Sequence, residues 1–207
     1  MFVLGRPSDE TLTQVLDRVR GTPVTYEAVG ATLRAGPLPH GFHHARATQL
    51  LGHGDDVFAA ACAGIRGWRL HRGQRFRVMS SDTTDPPADT AGPPADPPIV
   101  VGTEVIVDAP IAGPVHALAA CRIVVVVDEP DRYGFAYGTL RVHPASGEEA
   151  FVVEQTPSGD VRAIVTAFSR PQHPLVRLGG PIARRQQARA TQGYLDALGT
   201  YVRQALA

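Results

Sequence analysis

The sequence predicts an α+β protein in which a curved antiparallel β-sheet grips a long C-terminal helix. Three observations predict it. Five strand-like runs follow one another between Ile99 and Phe168, rich in β-branched and aromatic residues. Pro157-Ser158-Gly159-Asp160 has the composition of a tight hairpin turn between the last two. The chain then closes with an amphipathic helix whose stripe is Ala190, Tyr194, Leu195, Leu198, Tyr201, Val202 and Ala205. That stripe must lie on something apolar, and a sheet of about six strands is the surface large enough to take it.

The elements follow in order. Ser8 stands where an N-cap belongs, and Asp9 and Glu10 put negative charge in the first helical turn, where the helix dipole favours it. Leu12, Val15, Leu16 and Val19 recur at helical spacing, and Gly21 and Pro23 end the run. Residues 24–34 read as a short extended segment. Ala35 to Gly54 is rich in Gly, Pro and His and reads as loop, with a strand at Arg46 to Leu51. Asp55 can cap a second helix with an apolar face of Val57, Ala61, Gly64, Ile65 and Trp68. Arg69 to Met79 reads as a strand.

Ser80 to Pro98 holds six prolines among Asp, Thr and Ala. It lacks the apolar surface to offset the entropy of ordering and reads as a mobile loop between two strands rather than a domain linker. The flanking strands need each other, so residues 1–207 form one domain. Strands are predicted at Ile99–Asp108, Leu118–Val127, Gly134–Val142, Glu148–Gln155 and Val161–Phe168. Gly180 suits the N-cap of the last helix and Pro181 its first turn.

Composition narrows the function classes. The 207 residues are 43% hydrophobic and 19% charged, with 20 acidic and 20 basic side chains, so no net field draws in nucleic acid or an anionic membrane. Every basic residue outside histidine is Arg, and Lys and Asn are absent; that bias fits a GC-rich bacterial genome and weakens any single Arg as a site signal. Cys62 and Cys121 form neither a disulfide framework nor a zinc pattern and read as small buried hydrophobes. The longest β-branched run, Ile123 to Val127, is too short to span a bilayer. With no leader-like start, the expectation is a cytoplasmic protein.

Several separate blocks carry a family resemblance. GFAYGTLRVHPASGEEAFVVE at 134–154, AFSRP at 167–171 and RLGGPIARRQQ at 177–187 resemble uncharacterised protein family 0548, also catalogued as a domain of unknown function. Tyr26, Val29-Gly30, Thr32, Pro39, Gly41, LGHG at 51–54, Phe58 and Trp68 fit the same pattern. The resemblance covers nearly the whole chain, with the Pro-rich stretch as an insertion. The family is similar in layout to the START-like, or Bet v 1-like, helix-grip proteins. That likeness implies a cavity between sheet and helix, with lipids, steroids or polyketides as typical ligands and cyclases or dehydratases among the members. It carries over no catalytic residue.

Strand parity supplies the candidate site. Tyr133, Phe135 and Tyr137 point to one face, Gly134, Ala136 and Gly138 to the other. Three aromatics belong inside, toward the helix, with Phe151 and Val153 on the next strand. The same period puts Glu149 inside and Glu148 outside. An inward carboxylate needs a partner, and Arg122 or His143 could supply one. Tyr133, Phe135, Tyr137 and Phe151 then form the apolar wall of a ligand site, joined by Trp68 and by Tyr26 as a hydrogen-bond donor, while Glu149 orients a polar end. Each also has a structural reading: aromatics as core, Glu149 in an ion pair, Tyr hydroxyls with ordinary partners.

Other patterns are weaker. His40, His43, His44 and His53 match no metal spacing, so no metal is expected. Arg177, Arg184, Arg185 and Arg189 could meet a phosphate or an acidic partner but read as a solvated face. LGGP lacks the lysine of a phosphate loop, neither cysteine has the context of a nucleophile, and a PxxP ligand role for the Pro-rich stretch is secondary to a spacer. The leading reading is a protein that binds a small hydrophobic molecule without a cofactor. A cyclase- or dehydratase-type enzyme and a non-catalytic interaction protein with a filled core are the alternatives. Nucleic acid and membrane insertion are not expected.

Overall fold

A computed structural model describes residues 1–80, 96–172 and 180–207, with side chains of the last helix from Ala188 onward. Eight strands make one antiparallel sheet: β1 (Phe2–Leu4), β2 (His43–His53), β3 (Arg77–Ser80), β4 (Glu104–Ala112), β5 (Val115–Glu129), β6 (Arg132–Thr139), β7 (Ala145–Gln155) and β8 (Asp160–Pro171). Their order is β2-β8-β7-β6-β5-β4-β3, with β1 paired to the start of β5. Shifts in register at Leu50/Gly52 and Ile123/Val125 bend and twist their strands as bulges do. The helices are α1 (Asp9–Val19), α2 (Asp55–Arg66), α3 (Arg69–Gly73) and α4 (Gly180–Ala205).

The two faces of the sheet are covered differently. On the outer face α1 buries Leu12, Val15 and Leu16 against Ile106 and Leu118, and Val19 against Ala120 and Leu140. Its start is capped as predicted, the Ser8 hydroxyl accepting from the Thr11 N–H at 3.2 Å. The inner face takes α2, α3 and α4. The helix α4, about 39 Å long at 1.5 Å per residue, buries Tyr194, Leu195, Leu198 and Val202 in the main core. A Cβ on Gly64 of α2 would stand 2.5 Å from a Leu198 methyl, so glycine is what lets the two helices approach this closely. Among the described residues no helix is long and apolar enough to cross a membrane.

Where the sequence expectation fails, tertiary contacts are the cause. Residues 24–34 are turns rather than an extended segment, tied down by Glu148 as described below. The predicted strand at Arg69–Met79 is α3 followed by β3. Trp68 reverses the chain with a left-handed φ of 52° and is fully buried, its indole N–H bonded to the Pro97 carbonyl at 2.8 Å. Trp68 therefore lies beyond α2, which ends at Arg66. Asp55 is the first residue of α2, not its cap, and Gly54 occupies the cap position. The strand predicted from Ile99 starts only at Glu104, after a turn at Val101 and Gly102. Strand β1 is too short to carry a sequence signal.

Residues 81–95, most of the predicted mobile loop, lie outside the described residues, as do 173–179. The end of the Pro-rich stretch is docked: Pro97 is buried against Trp68, and Asp96 pairs with Arg72.

Candidate functional site

Inward-facing positions on four adjacent strands are small or polar at one end of the sheet. Ala117 and Ala119 of β5, Thr139 of β6 and Ala167 of β8 leave space that Ala190 of α4 does not fill. A pocket of about 360 Å³ results, bounded also by Tyr137, Glu149, His143 and Tyr194. Alternation on a strand aims these residues inward while Leu118 and Ala120 pack under α1 on the other face.

Glu149 is the chemically distinctive group. It sits deep in the fold and keeps partial exposure because it faces the pocket. The Tyr137 hydroxyl donates to its Oε2 at 3.0 Å, and the two residues are direct partners across β6 and β7. Burial pushes the Glu149 carboxyl up to about 7, with the Tyr137 hydrogen bond opposing that rise. Among the described residues no Arg pairs with it.

The chain of contacts continues to His71 on α3. Its Nε2 lies 3.3 Å from the Tyr137 hydroxyl. Since Tyr137 gives its proton to Glu149, the imidazole is the donor at this contact, which fixes the Nε2–H tautomer. The Nδ1 then carries a lone pair, and it has no partner among the described residues; a bare acceptor is a less costly orphan than a bare donor. Burial lowers the His71 pKa to about 3, so the ring is neutral. It is wedged among Trp68, Phe151 and Tyr194, with centroids 4.9–5.1 Å away. Tyr194 also interacts with the Tyr137 hydroxyl, and burial holds both phenols well above their ordinary range.

Glu148 faces the opposite way, on the outer face that strand parity predicts, and it is not solvent-exposed. It is buried on the outer face under residues 26–32. Its Oε2 accepts from the Tyr26 hydroxyl at 2.7 Å and the Gly30 N–H at 2.6 Å; its Oε1 accepts from the Thr32 N–H at 2.9 Å and the Thr32 hydroxyl. Four donors satisfy the carboxylate and fold residues 26–32 onto the sheet. Gly138 makes room for this: a Cβ there would meet the Tyr26 hydroxyl at 2.2 Å.

The predicted site residues therefore separate. Tyr137, His143 and Glu149 border the pocket. Tyr133, Phe135, Phe151 and Trp68 pack in the adjoining core instead; Phe135 lies 5.0 Å from Trp68 and 5.4 Å from Phe151 between centroids. Tyr26 serves Glu148 on the outer face, which pushes its phenol up through burial and the neighbouring carboxylate. Arg122 is opposite Gly138 in register, on the outer face, and pairs with Glu104.

Neither proposed partner reaches Glu149. His143 is engaged with its own turn, the Ala145 N–H donating to its Nδ1 at 2.9 Å, and burial lowers its pKa to about 4. Sequence reasoning missed His71, which fell in the misread strand, and left Tyr194 as one member of a helical stripe. Arg177 and the side chains of Arg184 and Arg185 lie outside the described residues. His40, His43, His44 and His53 are exposed, and no group of three metal-binding side chains occurs among the described residues.

With fold and site in place, the comparisons identify the kinship. The model of a domain of unknown function, DUF1990, matches residues 25–197. The chain belongs to this family. A UPF0548 protein of Deinococcus radiodurans is 31% identical over 205 residues, covering 96% of this chain and 97% of its own. A UPF0548 protein of Dictyostelium discoideum is 26% identical over 203 residues, covering 89% and 88%. Among solved structures, a hypothetical protein of Helicobacter pylori aligns with a TM-score of 0.54 at 12% identity, over 78% of this chain and 88% of that one. The Zhui aromatase/cyclase of a Streptomyces species aligns with a TM-score of 0.50 at 13% identity, over 80% and 96%. The DUF1990 chain has the helix-grip fold, a curved antiparallel sheet around a C-terminal helix.

Proposed function

We propose that this DUF1990 protein binds a small, mostly apolar molecule in the pocket between the sheet and α4, with Glu149 and Tyr137 holding its polar end. The observation that carries this reading is a carboxyl group without a cationic partner among the described residues, facing a pocket whose lining is mainly apolar. A concave apolar space with a few convergent polar groups is the usual form of a small-molecule site. Native mass spectrometry of the protein purified from its own host tests it. The wild type should carry an extractable adduct, and Ala190→Trp, which fills the pocket from α4, should lack it while remaining folded. Equal adduct on both proteins would place the ligand elsewhere.

One observation supports a second reading, an acid–base enzyme using the same pocket. A pocket-facing carboxyl that burial pushes up to about 7 can both take and give a proton at neutral pH. Incubating the extracted molecule with wild type and with Glu149→Gln separates the two. A product formed only by the wild type supports an enzyme, and an unchanged molecule supports a carrier or sensor.

A further inference from the structure

Resting on the pocket reading above, we infer that the polar end this pocket takes is a protonated nitrogen, so that the ligand is an apolar amine held by Glu149. The charge inventory is the first support. The described residues around the pocket include Glu148, Glu149 and two histidines, the exposed His43 of β2 and His143, but no Arg. Glu148 is saturated by four donors on the far face of the sheet. Among the described residues Glu149 receives one hydrogen bond, from Tyr137, although a carboxylate can accept about four. It thus offers the ligand both a charge and free acceptor capacity.

Among the described residues, the neighbours of Glu149 supply nothing that would replace such a cation. Tyr137 faces it from β6, Cys121 from β5 and Tyr194 from α4, and burial holds all three in their protonated, neutral forms. On β8 its register partner is Ala167. His71 of α3 reaches it only through Tyr137 and is neutral, and His143 at the pocket edge is neutral as well.

An ammonium group brings a full charge and up to three donors to this site. The rings of Tyr137 and Tyr194 border the same space and can add cation–π attraction. An alcohol brings one donor and no charge, and a carboxylate would meet Glu149 with like charge. The amine-bound form requires ionised Glu149. Binding below about pH 7 must therefore first strip a proton, and amine affinity should rise about tenfold per pH unit up to that point and level off above it.

Three matched bicyclic probes test the inference: 2-naphthylmethylamine, 2-naphthylmethanol and 2-naphthoate, titrated calorimetrically into the full chain at about pH 6 and about pH 8. The amine should bind tightest at the higher pH, by about tenfold or more over the alcohol, and should lose most of that lead at the lower pH. Glu149→Gln should erase the lead of the amine over the alcohol. An alcohol that equals the amine, or a naphthoate that exceeds it, overturns the amine inference and leaves the pocket reading intact. If none of the three binds, the host adduct decides: a basic nitrogen in it supports the inference, a neutral or acidic adduct overturns it, and no adduct at all removes the pocket reading along with it.

Discussion

Along β6 the inner face of the sheet changes from Phe135 to Tyr137 to Thr139, and the space above it changes with them. Around Phe135 the register partners are Val126, Phe151 and Val165, and Trp68 and Leu198 close over them to complete burial. Around Thr139 the inward residues are Ala117, Ala119 and Ala167, and a pocket remains. Tyr137 and Glu149 form the boundary. One curved sheet and one helix therefore build both a filled core and a vacancy, and side-chain size on the inner face sets the difference, since close packing fills whatever large side chains can reach. The helices sharpen it: α2 and α3 both cover the filled half, with Gly64 permitting the close contact to α4.

Truncation in the filled half should have the largest effect. Phe151→Ala should cost about 3–5 kcal/mol in urea unfolding, because the fully buried ring leaves a cavity ringed by His71, Phe135 and Tyr194. A cost below about 1 kcal/mol would mean that this half is not packed as described. Next, Glu148→Ala strands the Gly30 and Thr32 N–H groups and should cost roughly 3 kcal/mol. Hydrogen exchange should show residues 26–32 losing protection first.

At the boundary the sign reverses. The folded-state pKa of Glu149 lies above its ordinary 4.5, so the native protein holds the extra proton and its stability falls as pH rises from about 4.5 to about 7. Glu149→Gln should remove that fall. The variant should be more stable than wild type by up to roughly 3 kcal/mol near pH 8 and by almost nothing near pH 4, as read from urea midpoints across the range.

The smallest effect belongs to the open half. Ala119→Leu points into the pocket and should change stability by less than about 1 kcal/mol. The same enlargement at Ala61, which is fully buried in the filled half, should cost about 1–3 kcal/mol. Equal costs at the two alanines would erase the distinction between the halves.

The strand parity that separates Glu149 from Glu148 was legible in the sequence, because alternation is a local property of extended backbone. So were α1, with its Ser8 cap, and the stripe of α4. The partners were not. Arg122 and His143 looked available to Glu149 by proximity in the strand order, yet the register opposes Arg122 to Gly138 on the far face, and His143 is engaged with its own turn. His71 was invisible because its role depends on a left-handed turn at Trp68, which local pattern does not announce. The buried setting of Glu148 likewise depends on residues more than a hundred positions earlier in the chain.

The sequence by itself determined the class of fold, the order of most elements, the inward direction of Tyr133, Phe135, Tyr137, Glu149 and Phe151, and kinship with a family of unknown function. Those follow from period, composition and motif, all written along the chain. Only the tertiary structure decided which of the inward residues meet each other, which are sealed under α2 and α3, and which face the pocket beside Ala190 and Tyr194. The physical reason is that burial and pairing are properties of surfaces brought together by the sheet register and by helix packing, and neither is encoded in the spacing of any one strand.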